Sequence, residues 1–178
     1  MGHHQSQSLS QKESPLKLSK LETLVKSPKQ VIFSILIFTV EHLYLAFESR
    51  ETGILDLSAS GLSNFPNGVI KLSDGSKVKK IDLSKNALKA LPRDFSQFYE
   101  ATHLDLSNNN FSHFAIAFTF MYNLVEIDLT NNSFETLSDL ELDKMNPKTK
   151  IILTGNPINQ QGLEVMETFN KGAYNIVF

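Results

Sequence analysis

The sequence predicts an α/β solenoid in which short parallel strands stack into one concave sheet and a helix caps each end. Three observations lead to this prediction. An apolar frame returns at intervals of 23 to 26 residues, asparagine holds the same place in four of its five copies, and apolar helical patterns flank the array. A chain of 178 residues accommodates one such domain with a tail.

The repeated frame reads L-x-L-x-x-N-x-L. Alternate residues of a short strand point to the same side, so the leucine-type positions face the core and the positions between them face outward. The second leucine-type position falls at Leu57, Leu83, Leu106, Leu129 and Leu153. The asparagine position is Ser60 in the first copy and then Asn86, Asn109, Asn132 and Asn156. We expect these four amides to form a structural ladder that bonds backbone groups left unpaired by the turn.

The second half of each repeat returns along the convex side and supplies further core. It begins at Phe65-Pro66, Leu91-Pro92, Phe114 and Leu137, and eight of the thirteen phenylalanines lie between Ile54 and Ile158. We interpret these rings as core filling. Residues 118–122 leave an alternative open, because their aromatic side chains cannot all face inward, and an exposed patch here would mark a contact site.

The chain divides into four predicted segments: a disordered basic tail over 1–30, a hydrophobic N-terminal cap helix over 31–50, five repeats over 51–158, and a C-terminal cap helix and tail over 159–178. In the first cap, Val40, Leu43, Tyr44 and Phe47 have helical spacing and are expected to lie over the first strand. In the second, Asn159 is a candidate N-cap and Gly172 a candidate stop. The longer first interval predicts a loop at Ser73–Ser76.

The segments Ile81–Leu88 and Leu104–Asn109 meet the consensus of the intracellular leucine-rich-repeat proteins, which the chain resembles over roughly Ile54–Phe178. The resemblance implies a right-handed horseshoe segment with a parallel concave sheet, a role in binding partners, and no catalytic residues. The chain departs from the family pattern where Phe114-Ala115 replaces the usual Leu-Pro, and in the hydrophobic run that starts at Val31.

Composition excludes several classes of function. With no cysteine, the chain has no disulfide and no zinc-thiolate site, and a reducing compartment is favoured, the cytoplasm first and the nucleus second. The net charge of −2 divides into +3 over residues 1–30 and −5 over the rest, which disfavours a nucleic-acid partner. No metal-ligand spacing, cofactor loop or nucleophile motif occurs. The sequence therefore predicts a monomer that is not an enzyme and needs no metal or cofactor.

The outward strand positions predict where a protein partner binds. Adjacent strands lie about 4.8 Å apart, so these positions form rows across the sheet. The central row holds stacked carboxylates, which favour a basic, extended or helical partner segment. Solvated side chains with no partner are the competing interpretation. The candidate contact residues are Lys80, Asp82, Ser84, His103, Asp105, Ser107, Glu126, Asp128, Thr130 and Lys150.

A membrane-tethered adaptor is the alternative function. The residues Met1-Gly2-His3-His4-Gln5-Ser6 match the pattern for N-terminal acylation, and the tail lysines would add an electrostatic membrane signal. The apolar part of the run, Val31–Val40, is about half the roughly 20 residues of a spanning helix. A bulky imidazole directly after Gly2 also disfavours acylation. The soluble module is therefore the first prediction.

Overall fold

The computed structural model describes residues 28–66, 68–137, 145–172 and 175–178. The acylation motif and nearly all of the predicted basic tail lie outside these residues. The chain forms two compact units, residues 1–38 and 39–178. The described part of the first unit is the beginning of helix α1, which runs from Pro28 to Thr52. All the repeats belong to the second unit.

The second unit contains one sheet of six parallel strands arranged in the order of the chain. The strands are β1 (Ile54–Asp56), β2 (Lys80–Asp82), β3 (His103–Asp105), β4 (Glu126–Asp128), β5 (Lys150–Ile152) and β6 (Asn175–Val177). The first five are the predicted repeats. The sixth forms in residues that the sequence predicted as a tail, because Asn175-Ile176-Val177 carries the apolar alternation of a strand without the rest of the frame.

The leucine-type positions and the phenylalanines fill the core as predicted. The central residue of every strand is buried, and so is each leucine of the second column. Behind them the rings meet edge to face, with centroids 5.3 Å apart for Phe65 and Phe95 and 5.2 Å apart for Phe114 and Phe134. Phe120 is the exception, at 52% exposed. The core is thus one column of apolar side chains shared by successive repeats.

The convex side is built from short helices. These are α2 (Val69–Ser73) and two 3₁₀ helices, η1 (Arg93–Gln97) and η2 (Ile116–Phe120). The longer first interval is explained by α2 together with the turn that follows it. Gly75 lies in that turn, where a Cβ atom would collide with the backbone of Gln97. The close approach of two repeats therefore requires glycine at this position.

Helix α1 contacts the repeats through a different face from the one predicted. Val40, Tyr44 and Phe47 are 56–58% exposed, whereas His42, Ala46 and Ser49 are buried. Of the predicted face, Leu43 is half-buried and lies beside Gly68, and at the end of the helix the Ser49 carbonyl accepts a hydrogen bond from the Gly53 N–H at 2.9 Å. Apolar residues occur on all sides of α1 itself, so helical spacing alone did not identify its buried face.

The C-terminal cap begins and ends where the sequence indicates. Helix α3 runs from Gln160 to Gly172, and the Asn159 side chain accepts a hydrogen bond from the Gly162 N–H at 3.0 Å, as an N-cap does. Met166, a residue of α3 itself, is fully buried. Among the described residues, no helix is both long and apolar enough to cross a membrane.

Candidate partner-binding surface

The strands present a row of aspartates in exact register. Asp56 pairs with Asp82, Asp82 with Asp105, and Asp105 with Asp128, after which Ile152 continues the row on β5. The four aspartates, with the flanking residues from β1 to β4, line an open groove of about 290 Å³. We call this surface the outer sheet face, defined by the first and third residues of β1 to β5.

Each aspartate also bonds the turn that follows its own strand. One carboxylate oxygen, Oδ1, accepts the backbone N–H two residues later at 2.8–3.0 Å. The four pairs are Asp56 with Ser58, Asp82 with Ser84, Asp105 with Ser107, and Asp128 with Thr130. These bonds fix the turn, as Asx turns do. The stacked carboxylates therefore have a structural role in addition to any contact with a partner.

The charged form of Asp105, the central carboxylate of the row, is disfavoured by its surroundings. Burial raises the pKa of Asp105 above its ordinary value, and the charges of Asp82 and Asp128 on either side raise it further. Hydrogen bonds from the Ser107 backbone and hydroxyl partly oppose this rise in pKa. A cation placed over Asp105 would therefore relieve repulsion as well as pair a charge.

The flanking row before the aspartates contains charges of both signs. Lys80, His103, Glu126 and Lys150 face each other in register across β2 to β5. The Lys150 ammonium bonds the Glu126 carboxylate at 2.9 Å, and the Thr102 hydroxyl lies 2.9 Å from the His103 Nδ1. This row thus borders the acidic groove on one side. Lys150, Glu126 and His103 in it already have hydrogen-bond partners.

The hydroxyl row on the other side offers less surface than the sequence predicted. Ser84 is 6% exposed and Ser107 is 9% exposed, and Thr130 is half-buried. Their backbone N–H groups bond the aspartates, and the Asn108 amide donates to the Ser107 hydroxyl at 3.3 Å. Ser84 and Ser107 therefore hold the turn together and present little to a partner.

The predicted asparagine ladder lies inside the turns and links consecutive repeats. Asn86, Asn109, Asn132 and Asn156 each donate from Nδ2 to a leucine carbonyl of the preceding repeat at 2.9 Å. Their Oδ1 atoms accept a backbone N–H from that same repeat at 2.9–3.1 Å. Each amide thus satisfies backbone groups on both sides of a repeat boundary.

Sequence reasoning missed a run of carboxylates without cations and the exposure of Val125, whereas an exposed aromatic patch within residues 118–122 was an alternative that it left open. From Asp94 to Asp143 the chain contains nine carboxylates and no lysine or arginine, a pattern visible by counting along the repeats. Within the segment 118–122, Phe118 and Met121 are buried, while Phe120 and Tyr122 are 52% and 64% exposed. Val125, which precedes β4, is 54% exposed. The central repeats therefore present negative and apolar groups together.

The described residues contain no cluster of three or more histidine or acidic side chains that could hold a metal ion. The outer sheet face carries the hydrogen-bonded carboxylates and charged side chains of a recognition surface.

Comparisons with known proteins agree with this architecture. The sequence model of the family described as Leucine Rich Repeat matches residues 101–120, and no curated protein matches the chain. Among solved structures, a leucine-rich-repeat protein of Leptospira interrogans is 22% identical with a TM-score of 0.54, over 65% of this chain and 28% of that one.

Two further structures are similar over most of the repeats. Human 5T4, the trophoblast glycoprotein, is 24% identical with a TM-score of 0.50, over 61% of this chain and 43% of that one. The SNF/U2A′ complex of Drosophila melanogaster contains a chain 26% identical with a TM-score of 0.52, over 70% of this chain and 72% of that one. The present chain thus spans less than half the length of the first two proteins. With its in-register parallel strands, it has the leucine-rich-repeat fold.

Proposed function

We propose that this chain is a non-catalytic adaptor that binds a basic segment of a partner protein on the outer sheet face, the concave face of the leucine-rich-repeat fold. The fold is that of a protein-interaction module. One similar structure is itself a complex, SNF/U2A′, so a chain with this fold assembles with another protein there. A closed site for chemistry is not needed for such a role.

The observation that carries the proposal is the acidic row. Asp82, Asp105 and Asp128 stand in register over the groove, and the neutral N–H groups that bond their Oδ1 atoms leave the three negative charges in place. Lys80 and Lys150 lie in the flanking row, where Lys150 pairs with Glu126, and the segment from Asp94 to Asp143 contains no lysine or arginine. A partner that brings cationic side chains would pair these charges and relieve their mutual repulsion.

Neutralising the row without breaking its turns tests the proposal. The triple variant Asp82→Asn, Asp105→Asn, Asp128→Asn keeps an amide oxygen for each turn and removes three charges. We expect it to keep the melting temperature of the wild-type protein and to lose partners that proximity labelling in cells identifies with the wild-type protein.

The control variant Asp94→Asn, Glu135→Gln, Glu167→Gln removes the same number of charges from exposed positions off the outer sheet face. It should retain those partners. If both triple variants recover the same proteins as the wild type, the acidic row does not bind the partner and the proposal is overturned.

A membrane-tethered adaptor is the second candidate function. Val40, Tyr44 and Phe47 form an exposed apolar stripe on α1, which is the observation in its favour. Cosedimentation with vesicles containing anionic lipid tests it. Binding that the substitutions Val40→Ser, Tyr44→Ser and Phe47→Ser abolish would support tethering, and failure to sediment would remove it.

The remaining features are part of the same proposal. The absence of cysteine favours action in a reducing compartment, the cytoplasm or the nucleus, and we propose a monomer. A narrower similarity, to leucine-rich repeat-containing protein 20, is predicted from Leu55-Asp56-Leu57, Phe65-Pro66 and Asn156-Pro157-Ile158-Asn159. This similarity stays a prediction.

A further inference from the structure

We infer that the partner segment combines its basic residues with a bulky apolar side chain, which contacts an apolar rim beside the acidic row. The rim consists of Tyr99, Tyr122 and Val125, which are 46%, 64% and 54% exposed. The inference rests on the proposed function, because it extends the same binding surface. It identifies the partner chemistry as a cationic peptide segment with an apolar anchor.

The rim is continuous from one repeat to the next. The Asn123 amide donates to the Tyr99 carbonyl at 3.1 Å, and the Asn146 amide donates to the Tyr122 carbonyl at 3.1 Å. Tyr99 and Tyr122 are therefore equivalent residues of adjacent turns. The Val125 N–H donates to the Thr102 carbonyl at 2.8 Å, so Val125 is held beside the start of β4.

Val125 stands where the neighbouring repeats carry polar side chains. The equivalent Thr102 donates its hydroxyl to the Lys79 carbonyl at 3.1 Å, and the equivalent Thr149 donates to the Leu124 carbonyl at 2.7 Å. The equivalent Lys79 bonds Glu100 at 2.6 Å. Valine has the shape of threonine without the hydroxyl, so this repeat gives up a local hydrogen bond and exposes methyl groups. The valine adds no buried side chain to the core, because Val125 is 54% exposed.

The rim and the acidic row fit one partner segment. Val125 lies just before β4 and precedes Asp128 by three residues, a separation of about 10 Å at roughly 3.3 Å per residue. Residues two or four positions apart point to the same side of an extended peptide and lie about 7 and 13 Å apart, so a lysine or arginine at either position from a leucine or aromatic residue brackets this distance. The stretch from Asp94 to Asp143 contains no cation that would repel such a peptide or pair with an acidic one.

A phage-displayed library of random linear peptides, selected on the wild-type protein, tests the inference. We expect the enriched peptides to share a lysine or arginine and a bulky apolar residue two or four positions away. The enriched peptide is then synthesised and its Kd measured by fluorescence anisotropy against defined variants. The double variant Tyr122→Ser, Val125→Thr should weaken binding about tenfold or more, because it removes roughly one buried apolar side chain from the contact.

The substitutions are matched to the fold. Threonine at 125 restores the polar residue of the neighbouring repeats, and Ser76 occupies the place equivalent to Tyr122 in an earlier turn. Ile116→Ser, which removes a 47% exposed apolar side chain from the start of η2, is the control and should leave Kd unchanged. Unchanged thermal melting confirms that each variant is folded.

The outcomes separate the two proposals. If the triple Asp→Asn variant abolishes binding and the Tyr122, Val125 variant does not, the rim is not a contact and this inference fails while the proposed function stands. Enriched peptides without an apolar residue would also overturn the inference that the rim is a contact. Peptides that bind the triple Asp→Asn variant as tightly as the wild type overturn the proposed function as well.

Discussion

The asparagines of the turns and the aspartates of the strands both recur once in each central repeat, but they differ in how completely the fold uses them. The Asn109 amide bonds backbone groups with both its oxygen and its nitrogen. Asp105 bonds one backbone N–H and stands between two like charges. A polar column that is fully satisfied stabilises a solenoid, whereas a column that is only half satisfied is available for binding.

The largest expected effect breaks the satisfied column. Asn109→Ala would leave the Leu88 N–H without an acceptor and would remove one of the two amide donors to the Leu83 carbonyl, the other being Asn86, so the cost is about 2 kcal/mol of unfolding free energy. Chemical denaturation measures it. Asn110→Ala, at the exposed neighbouring residue, should change stability by less than about 0.5 kcal/mol. Equal effects from the two variants would show that the ladder does not stabilise the fold.

A smaller effect separates the two roles of the aspartate. Asp105→Ala removes the acceptor for the Ser107 N–H and should cost about 1 kcal/mol of unfolding free energy at neutral pH. Asp105→Asn keeps an oxygen acceptor and removes the repelling charge, so we expect it to be at least as stable as the wild type. Thermal melting of both variants distinguishes these cases. Were Asn as destabilising as Ala, charge rather than the turn bond would hold this position.

The pH dependence of Asp105→Asn sharpens the comparison further. The pKa of Asp105 is higher in the folded protein than in the unfolded chain, so the folded state holds its proton more tightly. Wild-type stability from this group therefore falls as pH rises from the ordinary aspartate pKa through the raised one. Asparagine does not ionise, so the stability of the variant does not decrease for this reason. Its melting temperature relative to the wild type should increase from acid to neutral pH, and a constant difference would refute the raised pKa of Asp105.

The sequence predicted the repeated positions well and the single ones poorly. The columns at Leu106 and Asn109 follow from a frame that recurs five times, and their environment is the same in each repeat. Strand β6 has no such frame, and its place depends on the neighbouring β5. The exposure of Tyr122 beside the buried Met121 depends on the local 3₁₀ turn, which residue spacing does not determine.

Helix α1 and the hydroxyl row show the same limit. Helical spacing selected Val40, Leu43, Tyr44 and Phe47 as the buried face, but of these four only Leu43 is half-buried, and the buried positions of the helix include His42, Ala46 and Ser49. Ser84 was a candidate contact because the alternation of the strand makes it an outward position. Its burial arises from the tight turn that Asp82 holds. In each case packing between elements, not local pattern, decides which side is exposed.

The smallest expected effect concerns the ion pair at the edge of the acidic groove. Lys150 and Glu126 are more than a third exposed, so Lys150→Gln should change the unfolding free energy by less than about 0.5 kcal/mol. It also frees the Glu126 carboxylate beside the aspartate row. We therefore expect the selected cationic peptide to bind about twofold more tightly, measured by fluorescence anisotropy. Lys148→Gln makes the same change in net charge at an exposed neighbour and should alter affinity less, because Lys148 lies outside the outer sheet face. Equal gains from both variants would mean that total charge, and not the freed carboxylate, governs binding.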